Sequence, residues 1–211
     1  YLGTFGFASF FSMYFGHHLS TIEGGFINTN DEDFYHLLLM MRSHGWDRDL
    51  PENKQKELRK KYKSSDFDSL YNFYVPGMNL RSTDLQAFIG INAIDKLDNF
   101  SNKRNENFKY YIKNIKENKI KLKEREGDFV SNFSIPIIHS NRNEIVKELI
   151  NNNIEVRPLI AGNMANKPMW EGDKSNLKNC ELIDLEGFYV PNHQNLKIEE
   201  IDKILNIINK H

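Results

Sequence analysis

The chain opens on an apolar, aromatic run, YLGTFGFASFFSMYF, in which small residues separate the Phe and Tyr side chains. This predicts one or two strands over residues 1–16. Residues 22–29, IEGGFINT, predict a Gly-Gly turn and a further strand. Asn30 is then placed to cap a helix whose first turn carries Asp31, Glu32 and Asp33. Phe34, Leu37, Leu38 and Met41 supply its apolar stripe, and Gly45 is placed to end it.

Residues 51–66, PENKQKELRKKYKSSD, are so highly charged that they predict a solvated helix or insertion. An aromatic loop, YNFYVPGMNLRS, follows. Thr83 and Gln86 have the spacing of a capping box and open a long predicted helix over 84–117. Leu85, Phe88, Ile89, Leu97, Phe108, Tyr111 and Ile115 form its core-facing side. Beyond it, short strands alternate with helices. Strands are predicted over 132–138, 154–160 and 187–191, and a helix over 142–152 with Asn141 and Glu144 near its start. A final helix over 197–209 turns Ile198, Ile201, Leu205 and Ile208 inward. The arrangement is α/β.

Composition narrows the function classes. The 211 residues suffice for one good-sized core or somewhat more. Hydrophobic content of 39% and charged content of 27% are those of an ordinary globular chain, and a formal net charge of −1 argues against nucleic-acid and acidic-membrane partners. No apolar run reaches the length of a membrane span. Cys180 is the sole cysteine. It excludes an intrachain disulfide and argues for a reducing compartment, the cytoplasm. It also excludes a multi-cysteine zinc or iron–sulfur site built from this segment alone. An opening strand so apolar belongs inside a sheet, with neighbours on both sides. The segment is therefore expected to be the C-terminal part of a longer protein.

Three stretches could carry chemistry. In SMYFGHHLSTIEGGF, residues 12–26, hydroxyls at Ser12, Ser20 and Thr21 and the amides of Gly24 and Gly25 suit phosphate binding. His17 and His18, read as neighbours on a strand, point to opposite faces and do not share one metal easily. No spaced His, Cys and Asp pattern completes a metal site. On these residues alone, a catalytic histidine and a packing or surface role both remain open. In MRSHGWDRD, residues 41–49, a helix end accounts for Arg42, His44 and Gly45, with Trp46 packed and Asp47 and Arg48 in solvent. In PGMNLRSTDLQAFIG, residues 76–90, Asn79 and Arg81 precede a helix N-terminus that can receive an anion, or form a plain loop and cap.

Taken in order, Ser12, His17, Glu23-Gly24-Gly25, RSHG at 42–45 and GMNLRSTDLQA at 77–87 resemble the DegT/DnrJ/EryC1/StrS sugar aminotransferase family. The C-terminal EVRPLIAGN and GFYVPNHQNLKIEEIDKI are similar to that family's small domain. The resemblance implies the type I fold of pyridoxal-phosphate enzymes. Residues 1–82 would be the end of the cofactor-binding large domain, and residues 83–211 the connecting helix and small α/β domain.

By spacing to Glu23, His17 occupies the position of the lysine that binds the cofactor covalently in that family. Residues 1–53 contain no lysine to replace it. Histidine cannot form that bond but can exchange a proton near neutral pH. The exchange resembles the family's 3-dehydratase branch, which removes the C3 hydroxyl of 4-keto-6-deoxy nucleotide sugars in deoxysugar biosynthesis of the lipopolysaccharide O-antigen type. The resemblance implies His17 as the base and pyridoxal or pyridoxamine 5′-phosphate as cofactor. It implies Ser12 on the cofactor phosphate, and Asn79 on the phosphate of the neighbouring subunit's cofactor in a homodimer. His18, Arg157 and His193 are secondary candidates for substrate contact. With one cysteine, the chain resembles the subclass without an iron–sulfur cluster, which takes its amino group from glutamate and acts on GDP-4-keto-6-deoxymannose. An aminotransferase with an unusual base, and a non-catalytic homologue that binds sugar or a partner, are the alternatives.

Overall fold

The computed structural model describes residues 1–116, 122–173 and 177–211. The chain forms two compact units, Tyr1–Ile94 and Asp95–His211.

In the first unit, β1 (Ala8–Ser12) pairs antiparallel with β2 (Gly25–Thr29), with Ala8 opposite Thr29 and Ser12 opposite Gly25. Of the one or two strands predicted over 1–16, the chain forms one, confined to Ala8–Ser12. Gly3 and Gly16 adopt positive φ, +94° and +96°, which breaks the extended run on each side. His17 and His18 consequently lie on the loop between β1 and β2 and not on a strand.

Helix α1 (Glu32–Arg42) is capped by Asp31, not Asn30: the Asp31 Oδ1 accepts from the Phe34 amide at 2.7 Å. Its buried face is His36, Leu39 and Met40. Phe34, Leu37 and Leu38 are only half-buried and Met41 is exposed, so the predicted stripe is rotated. The neighbours decide this, because Leu39 and Met40 pack with Leu50, Leu58, Tyr74 and Val75, which come from later in the chain. Helix α2 (Glu52–Lys61) is the predicted solvated helix, with every residue at least partly exposed.

The long helix predicted over 84–117 is two helices, α3 (Asp84–Ile94) and α4 (Leu97–Asn114), interrupted at Asp95 and Lys96. The apolar pattern changes character there. α3 is apolar around most of its circumference and leaves Leu85, Phe88, Ile91 and Ile94 exposed, whereas α4 is a polar helix with one buried stripe ending in Phe108 and Tyr111. Of the predicted core side, Leu85 and Phe88 are therefore not core. The predicted end at 117 lies outside the described residues.

In the second unit, β3 (Ser134–Ile138), β4 (Arg157–Pro158) and β5 (Gly187–Pro191) form an antiparallel sheet in the order β3-β5-β4. The strand predicted over 154–160 shrinks to Arg157–Pro158, paired with Tyr189 and Phe188. Helix α7 (Ile198–Lys210) packs against both α4 and α5 (Arg142–Asn151), and α6 (Lys178–Glu186) leads into β5. Ile135, Ile137, Phe188 and Val190 of the sheet meet Phe108, Tyr111, Ile145, Leu149, Ile201, Leu205 and Ile208 in one core. Each of these side chains contributes about 1.5–3 kcal/mol on leaving water. Ile198, expected inward, is exposed at the first turn of α7. Among the described residues, no helix is long and apolar enough to cross a membrane.

Candidate active site

The loop joining β1 to β2 is a hydrogen-bonded hairpin end and not a slack connection. Met13 N donates to Gly24 O and Thr21 N to Met13 O, both at 2.9 Å, and Phe15 N donates to Ile22 O at 2.9 Å. A tight turn at the tip joins His17 N to Tyr14 O at 3.2 Å, with Gly16 supplying the positive φ. Ser12 stands at the end of β1, where its exposed hydroxyl accepts from Tyr14 N at 3.2 Å. His17 and His18 are half-buried at the tip, and the His17 ring meets the Tyr14 ring edge-on with centroids 6.4 Å apart. The hairpin thus holds a hydroxyl and an imidazole on one short structure.

The Glu23-Gly24-Gly25 turn has a steric reason for its glycines. Gly24 has φ +144°, and a Cβ there would stand 2.8 Å from Thr21 Oγ1. A Cβ on Gly25 would stand 2.8 Å from the Phe11 carbonyl oxygen across the strand pair. The Glu23 carbonyl accepts from the buried Thr21 hydroxyl at 2.8 Å and from the Gln86 side-chain amide at 2.7 Å.

Asn79 lies on the segment that docks along the end of α1. His44 N donates to Met78 O at 2.9 Å, Met78 N to Met41 O at 2.7 Å and Leu80 N to Arg42 O at 2.9 Å, so Ser43 and Asn79 bridge as antiparallel partners. Ser43, fully buried, donates from its hydroxyl to Asp49 at 2.9 Å and accepts from Arg81 Nε at 3.0 Å. Arg81, a candidate anion contact, is therefore partly engaged inside the protein. Asn79 itself is exposed. The guanidinium of Arg48 lies 3.7 Å from the Trp46 ring centroid, and that of Arg81 5.1 Å from it.

Asp47, expected in solvent, is fully buried. Arg59 Nε donates to its Oδ2 at 2.9 Å, and that bond holds the guanidinium above its ordinary pKa. No local signal in the sequence reveals this pair, because the partners sit on different elements.

Arg157 and His193, two further candidates for substrate contact, lie in the second unit. Arg157 is exposed on β4 and donates from Nε to Glu155 at 2.9 Å. His193 follows β5, and its Nδ1 accepts from Asn195 N at 3.2 Å. Its ring is partly desolvated, which pushes its pKa below the usual value against the opposing field of Glu200. The backbone of His193 is held by the buried Asn107, whose amide donates to its carbonyl at 3.1 Å. Among the described residues, no group of three or more His, Cys, Asp and Glu side chains is arranged to hold a metal ion.

The DegT/DnrJ/EryC1/StrS aminotransferase family matches residues 1–209. The chain belongs to this family. GDP-4-keto-6-deoxy-D-mannose 3-dehydratase of Escherichia coli O55:H7 is 33% identical over 98% of the chain and 55% of its own length. The enzyme of the same name from Yersinia pseudotuberculosis is 34% identical over 99% of the chain and 55% of its own length. A crystal structure of GDP-4-keto-6-deoxymannose-3-dehydratase with a trapped PLP-glutamate geminal diamine superposes with a TM-score of 0.81 at 32% identity, covering 98% of this chain and 55% of that one. The chain therefore has the α/β fold of the pyridoxal-phosphate-dependent family members, and spans about half the length of the curated relatives it matches.

Proposed function

We propose that this chain is the C-terminal part of a pyridoxal-phosphate-dependent 3-dehydratase acting on a 4-keto-6-deoxy nucleotide sugar, in deoxysugar biosynthesis in the cytoplasm. Residues 1–82 belong to its cofactor-binding large domain and residues 83–211 to the connecting helix and small domain. The observation that carries the reading is the hairpin tip. A histidine, His17, stands there on the loop that follows Ser12, and the first lysine of the chain is Lys54.

The donor set fits the cofactor. Ser12 offers a neutral, solvent-facing hydroxyl suited to a phosphate, and His17 offers an imidazole suited to proton transfer but not to a covalent link. When bound, the cofactor supplies an electron sink next to the sugar's C3. With the cofactor bound, Ser12 would hold its phosphate, and His17 would take up a proton as the base and return one to the departing C3 hydroxyl, which would leave as water. Because no lysine displaces the product by amine exchange, elimination dominates over amino transfer. Glutamate supplies the amino group, as the glutamate adduct in the related crystal structure supports. Asn79, exposed on its docked strand, reaches the cofactor phosphate of a neighbouring subunit, so the active unit is a homodimer. His18, Arg157 and His193 are its secondary contacts to the sugar nucleotide, with GDP the favoured nucleotide.

The test is borohydride treatment of the full-length holoenzyme, followed by peptide mapping. Absence of any covalently pyridoxylated peptide supports the histidine site. A labelled lysine peptide would sink the dehydratase reading in favour of an aminotransferase. Failure of glutamate to convert bound pyridoxal phosphate to its amine form would instead point to a non-catalytic homologue.

A further inference from the structure

Gln86 occupies the third position of α3 and makes two sets of bonds in opposite directions. Its Oε1 accepts from the Thr83 amide at 2.8 Å and from the Thr83 hydroxyl at 3.2 Å, while its own amide donates to Thr83 Oγ1 at 3.3 Å. This is the capping box that the sequence spacing predicts. Its Nε2 donates to the Glu23 carbonyl at 2.7 Å, across 63 positions of sequence. The side chain therefore uses both ends, with Oε1 facing an N–H and Nε2 facing a carbonyl. That pairing fixes the orientation of the amide, since an interchange would set like against like at both ends.

The consequences run in two directions. Thr83 ends the segment that carries Asn79 and Arg81 along the end of α1. Glu23 closes the hairpin that carries Ser12 and His17, and its carbonyl accepts a second bond from Thr21, whose amide is tied to Met13. One turn further along α3, Gly90 lies against the same place: a Cβ there would stand 3.2 Å from the Thr21 methyl and 3.7 Å from Met13 Cε. The absence of a side chain at Gly90 lets α3 lie close against the hairpin end.

We propose that Gln86 is a positioning residue which locks the His17 hairpin to the Asn79 segment, so that the base and the phosphate contact are held by one side chain. The proposal rests on the function proposed above for its catalytic consequence. Its structural half stands independently, because the lock is made entirely within residues 12–90.

The discriminating variant is Gln86→Glu. Glutamate keeps the acceptor oxygens of the capping box, where it is as well suited as glutamine, but has no N–H for the Glu23 carbonyl. Gln86→Ala removes both functions. In the full-length holoenzyme, hydrogen exchange should be roughly tenfold faster at the Met13, Phe15 and Thr21 amides in Gln86→Glu, with the amides of α3 as protected as in wild type. In Gln86→Ala, both the hairpin and the first turn of α3 should loosen. The glutamate half-reaction, followed by loss of the bound pyridoxal phosphate absorbance, should slow roughly tenfold in Gln86→Glu at unchanged glutamate KM, because a small misplacement of the base is costly to the chemical step. Unchanged hairpin exchange in Gln86→Glu would overturn the proposal, and so would a slower half-reaction seen only where α3 also loosens. If the wild type itself shows no half-reaction, the functional reading fails, while the exchange data still decide whether Gln86 locks the hairpin.

Discussion

Gly45 and Gly77 meet backbone to backbone: a Cβ on Gly77 would stand 2.3 Å from the Gly45 nitrogen and 2.4 Å from the His44 carbonyl carbon. Gly45 also has φ +94° and donates from its amide to Met40 O at 2.8 Å, so one residue ends α1 and receives the returning chain. This close approach sets the strand that places Asn79 beside Ser43. Gly77→Ala must push two backbone segments apart. It should lower stability by about 2 kcal/mol, read as a lower denaturant midpoint, and, on the proposed function, should weaken cofactor retention.

The buried Asp47 depends on Arg59 in a different way. The aspartate side chain is fully buried, while the arginine retains 23% of its side-chain exposure. Removing the arginine strands a charge away from water. Arg59→Met should therefore cost about 3 kcal/mol. Adding Asp47→Asn to it should recover about 1 kcal/mol or more, because the amide needs no counter-charge. A double-mutant cycle of chemical denaturation checks this, and additive losses would show that the pair is not coupled.

Tyr111 makes stability depend on alkaline pH. It is fully buried, its hydroxyl donates to Pro191 O at 3.1 Å, and burial pushes its pKa well above the ordinary value of 10.0. The folded state therefore keeps the phenol protonated after the unfolded chain has begun to ionise. The contribution is whole below pH 10.0 and is lost progressively as pH rises from there towards the folded pKa. Tyr111→Phe should cost about 1 kcal/mol at neutral pH yet show a shallower loss of stability above pH 10.0 than wild type. Urea titrations at a series of pH values measure both.

His17→Lys tests the base directly. On the proposed function, a lysine at the hairpin tip should form a covalent link to the cofactor in the full-length holoenzyme, visible as a new absorbance band and a borohydride-stable label. Dehydration should fall at least about 100-fold, in line with the usual contribution of a positioned acid–base group. Dehydration at the wild-type rate would show that His17 is not the base.

Several elements were legible because their signals are local. The capping box of Thr83 and Gln86, the solvated α2, the core stripe of α7 from Ile201 to Ile208 and the β5 strand depend on neighbours within a few residues. Less legible were features set by chain folding back on itself. The buried face of α1 turned towards Leu50 and Leu58, and Asp47 found its partner at Arg59. The apolar α3 looked like core but leaves Leu85 and Phe88 exposed.

The sequence by itself determined the family, through motifs in order, and singled out His17 by the absence of any lysine before Lys54. Those are properties of residue identity and spacing, which a linear chain displays. Only the tertiary structure decided how the candidate site is held. His17 and His18 lie on a hydrogen-bonded hairpin end and not on a strand, because glycine at position 16 turns the chain. The carbonyl of Glu23 is satisfied by Gln86 from 63 positions away, because a backbone acceptor takes whichever donor the packed chain brings to it.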